Sequence, residues 1–173
     1  RCKLIQNERN SGLAYSLNRC LSIAKGEYIA RMDSDDISQI NRFEEEVKFL
    51  NNNKQYALVG SAVNLFDEKG VFSTKFLPEM PSKYNLLMNA PFVHPSIIIR
   101  TSILKKMNGY RVDDETKRCE DYDLWMRMYA SGEKGYNIQK VLFNYREDRT
   151  SYKKRKYKYR IDEAKVRYKG FKK

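Results

Sequence analysis

Cysteine is scarce in this chain, long apolar runs are missing, and acidic residues thin out toward the C-terminus. The three cysteines, Cys2, Cys20 and Cys119, form an odd set without metal-ligand spacing. They argue against a disulfide framework and suit reduced thiols in the cytoplasm. No run approaches the length that a membrane span requires, and no signal-peptide pattern opens the chain, so a soluble or peripheral protein is expected. No internal repeat appears, and no recognised nucleic-acid-binding motif accompanies the basic residues.

What is present is enough for one core. With 173 residues, 41% of them hydrophobic and 13% aromatic, a single globular unit is expected. The formal charge of +12 is unevenly spread: residues 146 to 173 hold 13 Lys and Arg against 4 Asp and Glu. Basicity is mostly a property of the tail.

The elements follow from periodicity and punctuation. "CKLI" at 2–5 reads as a short strand and "NERNSG" as a polar turn. In 11–26 the apolar positions Leu13, Leu17, Cys20, Leu21 and Ala24 fall at helical spacing, with Ser11 as N-cap and Gly26 as the stop. "EYIARM" at 27–32 is the next strand. A helix with Phe43, Val47 and Leu50 on one face follows, and "YALVGSAVNLF" at 56–66 returns as a strand. Strand, helix, strand, helix, strand predicts an α/β sheet of largely parallel order. Further along, "DEKG" reads as a turn, "VFSTKFL" as an edge strand, "SIIIR" as a strand and "TSILKKMNGY" as a short helix. The segment 120–132 reads as a stronger helix with Leu124, Met128 and Trp125 inward.

Asp33, Asp35 and Asp36 stand directly after a predicted strand, and three carboxylates so close repel one another unless a counter-charge or a solvated turn relieves them. Ligands gather beyond the carboxyl ends of strands in open α/β sheets. Two acids separated by one residue there can share a hard divalent cation, which can bridge a diphosphate. A solvated turn with a helix N-cap is the plain alternative. A calcium loop counted from Asp33 fails, because Ile37 and Ser38 fall where a ligand and a glycine are needed. The second cluster, Glu120, Asp121 and Asp123, opens a helix, where the dipole favours negative charge. Facing a metal-bound diphosphate, such acids could also include a general base for an incoming hydroxyl.

Three stretches, "NSGLAYSLNRCLSIAKGEYIARMDSDDIS", "FVHPSIIIRTSILKKMNGYR" and "CEDYDLWMRM", resemble in that order the second half of a family 2 glycosyltransferase with the GT-A fold. The resemblance covers nearly the whole chain up to about Arg146. It implies an α/β domain of GT-A type over residues 1–146, incomplete at its N-terminus, with a mostly parallel sheet flanked by helices. A basic, partly helical tail over 147–173 would follow it. The implied reaction is an inverting transfer of a sugar from a nucleotide-diphosphate donor to a hydroxyl of a glycan or lipid-linked acceptor, in bacterial cell-surface polysaccharide or lipopolysaccharide synthesis. Mn2+ or Mg2+ would assist.

By the same resemblance, Asp33 and Asp35 match the DxD acids that bind donor and metal. Asp35 would ligate the ion directly; Asp33 would reach the ribose, or the ion through water. Asp121 would be the catalytic base, with Glu120 orienting acceptor or base. Family members begin with strands that grip the nucleotide base, and this chain is expected to start after them. They often carry an arginine before the residue matching Asn18, where Leu17 stands here. His94, the only histidine, is expected to be a structural loop residue, Trp125 to pack in the core, and Arg42 to pair with acids of its own helix rather than a phosphate. The tail would contact an anionic membrane on the inner face of the plasma membrane, or be a solvated helix. The rival reading is a non-catalytic basic module for nucleic acid or anionic surfaces.

Overall fold

The computed structural model describes residues 2–147 and 157–171. The chain runs α1 (Leu13–Ile23), β1 (Tyr28–Ala30), β2 (Ile37–Ser38), α2 (Arg42–Asn52), β3 (Leu58–Asp67), β4 (Gly70–Lys75), α3 (Lys83–Met88), β5 (Ile98–Arg100), α4 (Thr101–Lys106), α5 (Glu120–Ala130), β6 (Gly135–Arg146) and α6 (Tyr157–Phe171). A 3-10 turn, His94–Ser96, leads into β5. Residues 2–10 carry no strand, so the expectation for "CKLI" is corrected: no neighbouring strand lies beside it to accept its hydrogen bonds. The N-cap of α1 is Gly12 rather than Ser11; Gly12 takes a positive φ of 85° that a side chain would oppose.

The sheet is mixed, in the order β1-β5-β3-β6-β2, with β4 on β3. Among the described residues, β3 and β6 alone pair in parallel; β1 with β5, β5 with β3, β3 with β4, and β6 with β2 are antiparallel. The α/β class with flanking helices stands, and the mostly parallel sheet is corrected. The reason is topological. The crossover through α2 does return β3 in the direction of β1, as a strand-helix-strand unit should. But β5 then wedges between the two, antiparallel to both. The tight turn after Asp67 forces β4 back along the other half of the same β3 edge.

Alternation in β5 divides two cores. Ile97 and Ile99 face a large cluster with Leu58, Leu104, Leu124, Trp125 and Met128, roofed by α4, α5 and α6. Ile98 faces the other side with Val59 and Leu50, against α2. Leu124, Trp125 and Met128 are all fully buried, as the helical spacing predicts. Burying each such side chain contributes on the order of 1.5–3 kcal/mol.

Two helices differ from expectation. The inner face of α2 carries Arg42, Glu46 and Leu50, while Phe43 turns half-exposed to solvent. An ion pair has taken positions where apolar spacing alone placed Phe43. α6, the described part of the basic tail, packs against α5: Val166 joins the large core, and a Cβ on Gly170 would lie 2.5 Å from Met126 Cε. Arg167 Nη1 donates to the carbonyls of Leu87 and Met88, and its guanidinium lies 5.0 Å over the Tyr122 ring. Over Tyr157–Phe171, then, the tail is joined to the domain that precedes it.

Candidate active site

β1 ends at Ala30, and the segment beyond it is tied to its surroundings by backbone bonds. Arg31 N donates to Ile97 O at 3.2 Å, Gln39 N to Leu142 O at 3.0 Å, and Asp36 N closes a turn onto Asp33 O at 3.4 Å. From β6, Arg146 N donates to Asp36 Oδ1 at 2.8 Å and Arg146 Nε to Asp35 O at 3.1 Å. A loop fixed in this way gives its side chains defined directions.

Those directions converge. One carboxylate oxygen from each of Asp33, Asp35 and Asp36 lies within 4.8 Å of the others. Asp35 is exposed, Asp33 half-buried, and Asp36 buried with its Oδ2 lacking a partner. Burial, helped by repulsion from Asp33 and Asp35, pushes the Asp36 carboxyl up to about 6, against the Arg146 N–H and Arg31. Three hard oxygen donors, mutually repelling and with one buried oxygen unpartnered, fit a hard divalent cation. Asp33 and Asp35 are therefore brought together as expected, and Asp36, not assigned from sequence, joins them.

Beneath the loop lies the ion pair of α2. Arg42 is fully buried: Nε donates to Glu46 Oε2 at 3.0 Å, and Nη2 donates to Arg31 O at 3.1 Å and Ile97 O at 3.2 Å. Its guanidinium also lies 4.7 Å over the Phe143 ring. Burial pushes the Glu46 carboxyl up and the Arg42 guanidinium down, each opposed by the other's charge. Arg42 thus pairs with an acid of its own helix, and also staples the end of β1 to the entrance of β5.

The second acidic cluster is arranged differently. At the start of α5, Asp123 turns inward to Arg127 Nε at 2.7 Å and Arg111 Nε at 3.4 Å. Glu120 is buried, and Asp121 is half-buried with Oδ1 accepting from Tyr122 N at 2.8 Å. Burial and then the charge of Glu120 push the Asp121 carboxyl up to about 6, against the Tyr122 N–H and Arg31. Arg31 is the charge common to both clusters: it is buried, bonds Asp33 at 2.5 Å, and draws down the carboxyls of both Asp36 and Asp121.

Between them sits a neutral support. His94 Nε2 and Tyr110 Oη are 2.9 Å apart, and the imidazole meets the Trp125 ring edge-on at 5.8 Å. Burial first, and Arg31 second, hold His94 well below the usual imidazole range, so it is uncharged at neutral pH. Asn18 of α1 grips Tyr110 from both sides: Nδ2 donates to Tyr110 O at 2.7 Å, and Tyr110 N donates to Oδ1 at 2.8 Å. The preceding Gly109 takes φ 67°, and any Cβ there would fall 2.3 Å from Asn18 Oδ1. His94 and Trp125 are packed residues, as their sequence setting indicates. Arg31, Tyr110 and Arg146 were not singled out from sequence, and Asp36 was read as part of the acid cluster without a role of its own. Only Asp36 carried a signal, as the third acid of the cluster.

The model of glycosyl transferase family 2 matches residues 1–108. The chain belongs to this family. Among family 2 relatives, the putative glycosyltransferase EpsE of Bacillus subtilis is 44% identical over 164 residues, covering 95% of this chain and 59% of that one. A UDP-Gal:alpha-D-GlcNAc-diphosphoundecaprenol beta-1,3-galactosyltransferase of Escherichia coli is 32% identical over 170 residues, covering 93% and 59%. In three dimensions, the mannosyltransferase PcManGT of Pyrobaculum calidifontis, solved in complex with GDP-Man and Mn2+, superposes with a TM-score of 0.60 at 19% identity, over 98% of this chain and 45% of that one. This likeness establishes the GT-A fold. The family 2 chain spans just under three fifths of the length of these two relatives.

Proposed function

We propose that this chain supplies the sugar-transfer site of an inverting glycosyltransferase that uses a nucleotide-diphosphate sugar and acts in bacterial cell-surface polysaccharide synthesis. The observation that carries this reading is the convergence of Asp33, Asp35 and Asp36 on one point, beside an Arg31 that also acts on Asp121. Asp35 and Asp33 would hold Mn2+ or Mg2+, with Asp36 closing the site. When bound, the ion supplies positive charge where the departing diphosphate gains negative charge.

The remaining roles fall to side chains. Asp121 accepts the proton of the acceptor hydroxyl as the new C–O bond forms at the anomeric carbon and the bond to the diphosphate breaks on the opposite face, which inverts the centre. A carboxyl pushed up to about 6 is a stronger base than an ordinary aspartate and is still ionised near neutrality. Glu120 raises that basicity by its charge and orients base or acceptor. Arg31 holds Asp33 in place.

The donor and acceptor classes draw on relatives. The Escherichia coli protein is named for a UDP sugar and a diphosphoundecaprenol-linked acceptor, and PcManGT was solved with Mn2+. With a lipid-linked acceptor, the enzyme would work against the cytoplasmic leaflet. The outer face of α6 suits that surface, with Tyr157, Ile161 and Tyr168 exposed beside Arg160 and Lys165. No helix among the described residues is long and apolar enough to cross a membrane. A nucleic-acid module is favoured less, since Arg167 and Lys169 are engaged with Glu163 and Glu115.

Calorimetry with Mn2+ and a panel of UDP and GDP sugars tests the reading, wild type against Asp35→Asn. Binding of one donor that requires both metal and Asp35 supports it. A folded wild-type protein that binds none of them overturns the donor site.

A further inference from the structure

Arg146 ends β6 immediately beside the acid cluster, yet it makes no ion pair with any of the three aspartates. Its backbone N–H is spent on Asp36 Oδ1, and its Nε on the carbonyl of Asp35. The guanidinium plane lies 4.6 Å over the Phe66 ring, from the neighbouring parallel strand β3. An arginine carries five N–H donors. One is used here, and the four on Nη1 and Nη2 have no partner among the described residues.

Three features distinguish this from an ordinary surface arginine. The side chain is exposed but anchored, on one side by a carbonyl acceptor and on the other by an aromatic face, so its fork is oriented at little entropic cost. The anchoring carbonyl belongs to Asp35 itself, which fixes the guanidinium relative to the carboxylate proposed to hold the cation. And the charge is positive where mutual carboxylate repulsion already invites a cation, so Arg146 makes binding of a bare metal ion less favourable. A positive group is well placed there only when an anion arrives together with the metal. A diphosphate is such an anion, and planar forks recognise phosphate oxygens in pairs.

We propose that Arg146 is a second cationic grip on the diphosphate of the donor, acting beside the metal rather than through it. The proposal rests on the donor reading given above. It assigns Arg146 to binding and to stabilising the departing diphosphate, and leaves proton transfer to Asp121. Asp33 and Asp35 would hold the ion, which would supply positive charge to the diphosphate, while the Arg146 guanidinium grips further phosphate oxygens and stays with the protein when product leaves.

The test uses the full chain and its Arg146→Gln and Arg146→Lys variants, titrated with Mn2+ alone and then, at saturating Mn2+, with UDP, GDP and the monophosphates UMP and GMP. In Arg146→Gln, affinity for the preferred diphosphate falls roughly 10-fold or more, the range of a lost charge-assisted bond. The monophosphate is affected less, Mn2+ alone binds at least as tightly as in wild type, and Arg146→Lys recovers part of the loss. If Arg146→Gln weakens Mn2+ and nucleotide equally, the side chain merely braces the loop and the proposal falls. Unchanged diphosphate affinity in a variant whose melting temperature is also unchanged overturns it as well. A wild-type protein that binds Mn2+ but no diphosphate defeats the donor reading itself, and this proposal with it.

Discussion

The two acidic clusters set the same residue types in opposite arrangements. Asp33, Asp35 and Asp36 lie on a loop whose backbone is held by β5 and β6, and their carboxylates turn toward one another. Glu120, Asp121 and Asp123 lie on the first turn of a helix, and their carboxylates turn apart: Asp123 is neutralised by two arginines, while Asp121 is held by backbone N–H groups, that of Tyr122 among them. Yet Asp36 and Asp121 are both pushed up to about 6, chiefly by burial. Convergence offers a place for a cation, and divergence leaves one carboxyl apart, the one proposed above as the base. Sequence spacing alone does not separate these outcomes; the support beneath each carboxylate does.

The contrast can be broken most forcefully at the two acids given roles in the proposal, Asp121 and Asp35. Asp121→Asn should lower the transfer rate by about 100- to 10,000-fold while metal-dependent donor binding, measured by calorimetry, persists. Asp35→Asn should do the reverse and abolish that binding. Equal effects of both substitutions on donor binding would mean that the clusters are not functionally distinct.

The supports come next. Arg42→Ala leaves Glu46 buried and uncompensated, and should cost about 3–5 kcal/mol in urea unfolding. The double replacement Arg42→Met with Glu46→Leu should recover much of that loss, while Mn2+ affinity should fall because Arg42 no longer bridges Arg31 O and Ile97 O, leaving only the Arg31 N–Ile97 O bond to hold the loop there. On the side of the second cluster, Asn18→Ala removes both bonds to the Tyr110 backbone and should cost about 1–3 kcal/mol, read as a lowered melting temperature.

The smallest effect is on pH. Activity should rise as pH increases through about 6, where Asp121 ionises, and Asp121→Asn should flatten that rise. Stability moves the other way. In the unfolded chain both carboxyls lose their protons near the ordinary aspartate value of 3.8, before they do so in the fold near 6. The folded state therefore binds more protons across that window, and melting temperature should decline as pH rises through it. Saturating Mn2+ sharpens the comparison, since it should lessen the part due to Asp36 and leave the part due to Asp121.

Much of this was legible in the sequence. The helices α1, α2 and α5 and the strands β1, β3 and β5 follow from apolar spacing and turn residues, and the pairing of Asp33 with Asp35 follows from their place after a strand. What was not legible was long-range. Strand direction in a mixed sheet depends on β5 inserting between β1 and β3, which no local pattern encodes. β6, the longest strand among the described residues, went unassigned because the apolar alternation of Tyr136 and Ile138 is thrown out of phase at Lys140, where the pairing with β3 shifts register, and because its inner face carries the buried Asn137, which donates to the carbonyls of Pro78 and Pro91. Arg42 and Glu46 occupy an inner helix face that hydrophobic spacing would give to Phe43. Arg31 and Arg146 acquire their significance only from what folds against them.

The ties of the Asp33–Asp36 loop reach far down the chain: to Ile97, to Leu142 and to Arg146. During synthesis the acids leave the ribosome long before any of those partners, at a stage when nothing holds the carboxylates together. Contacts so distant along the chain form slowly and late. If the cluster holds a divalent ion as proposed, a nascent chain does not sequester it until β6 has been made and laid down, and the length at which cation binding first becomes measurable on stalled chains would date the completion of the sheet.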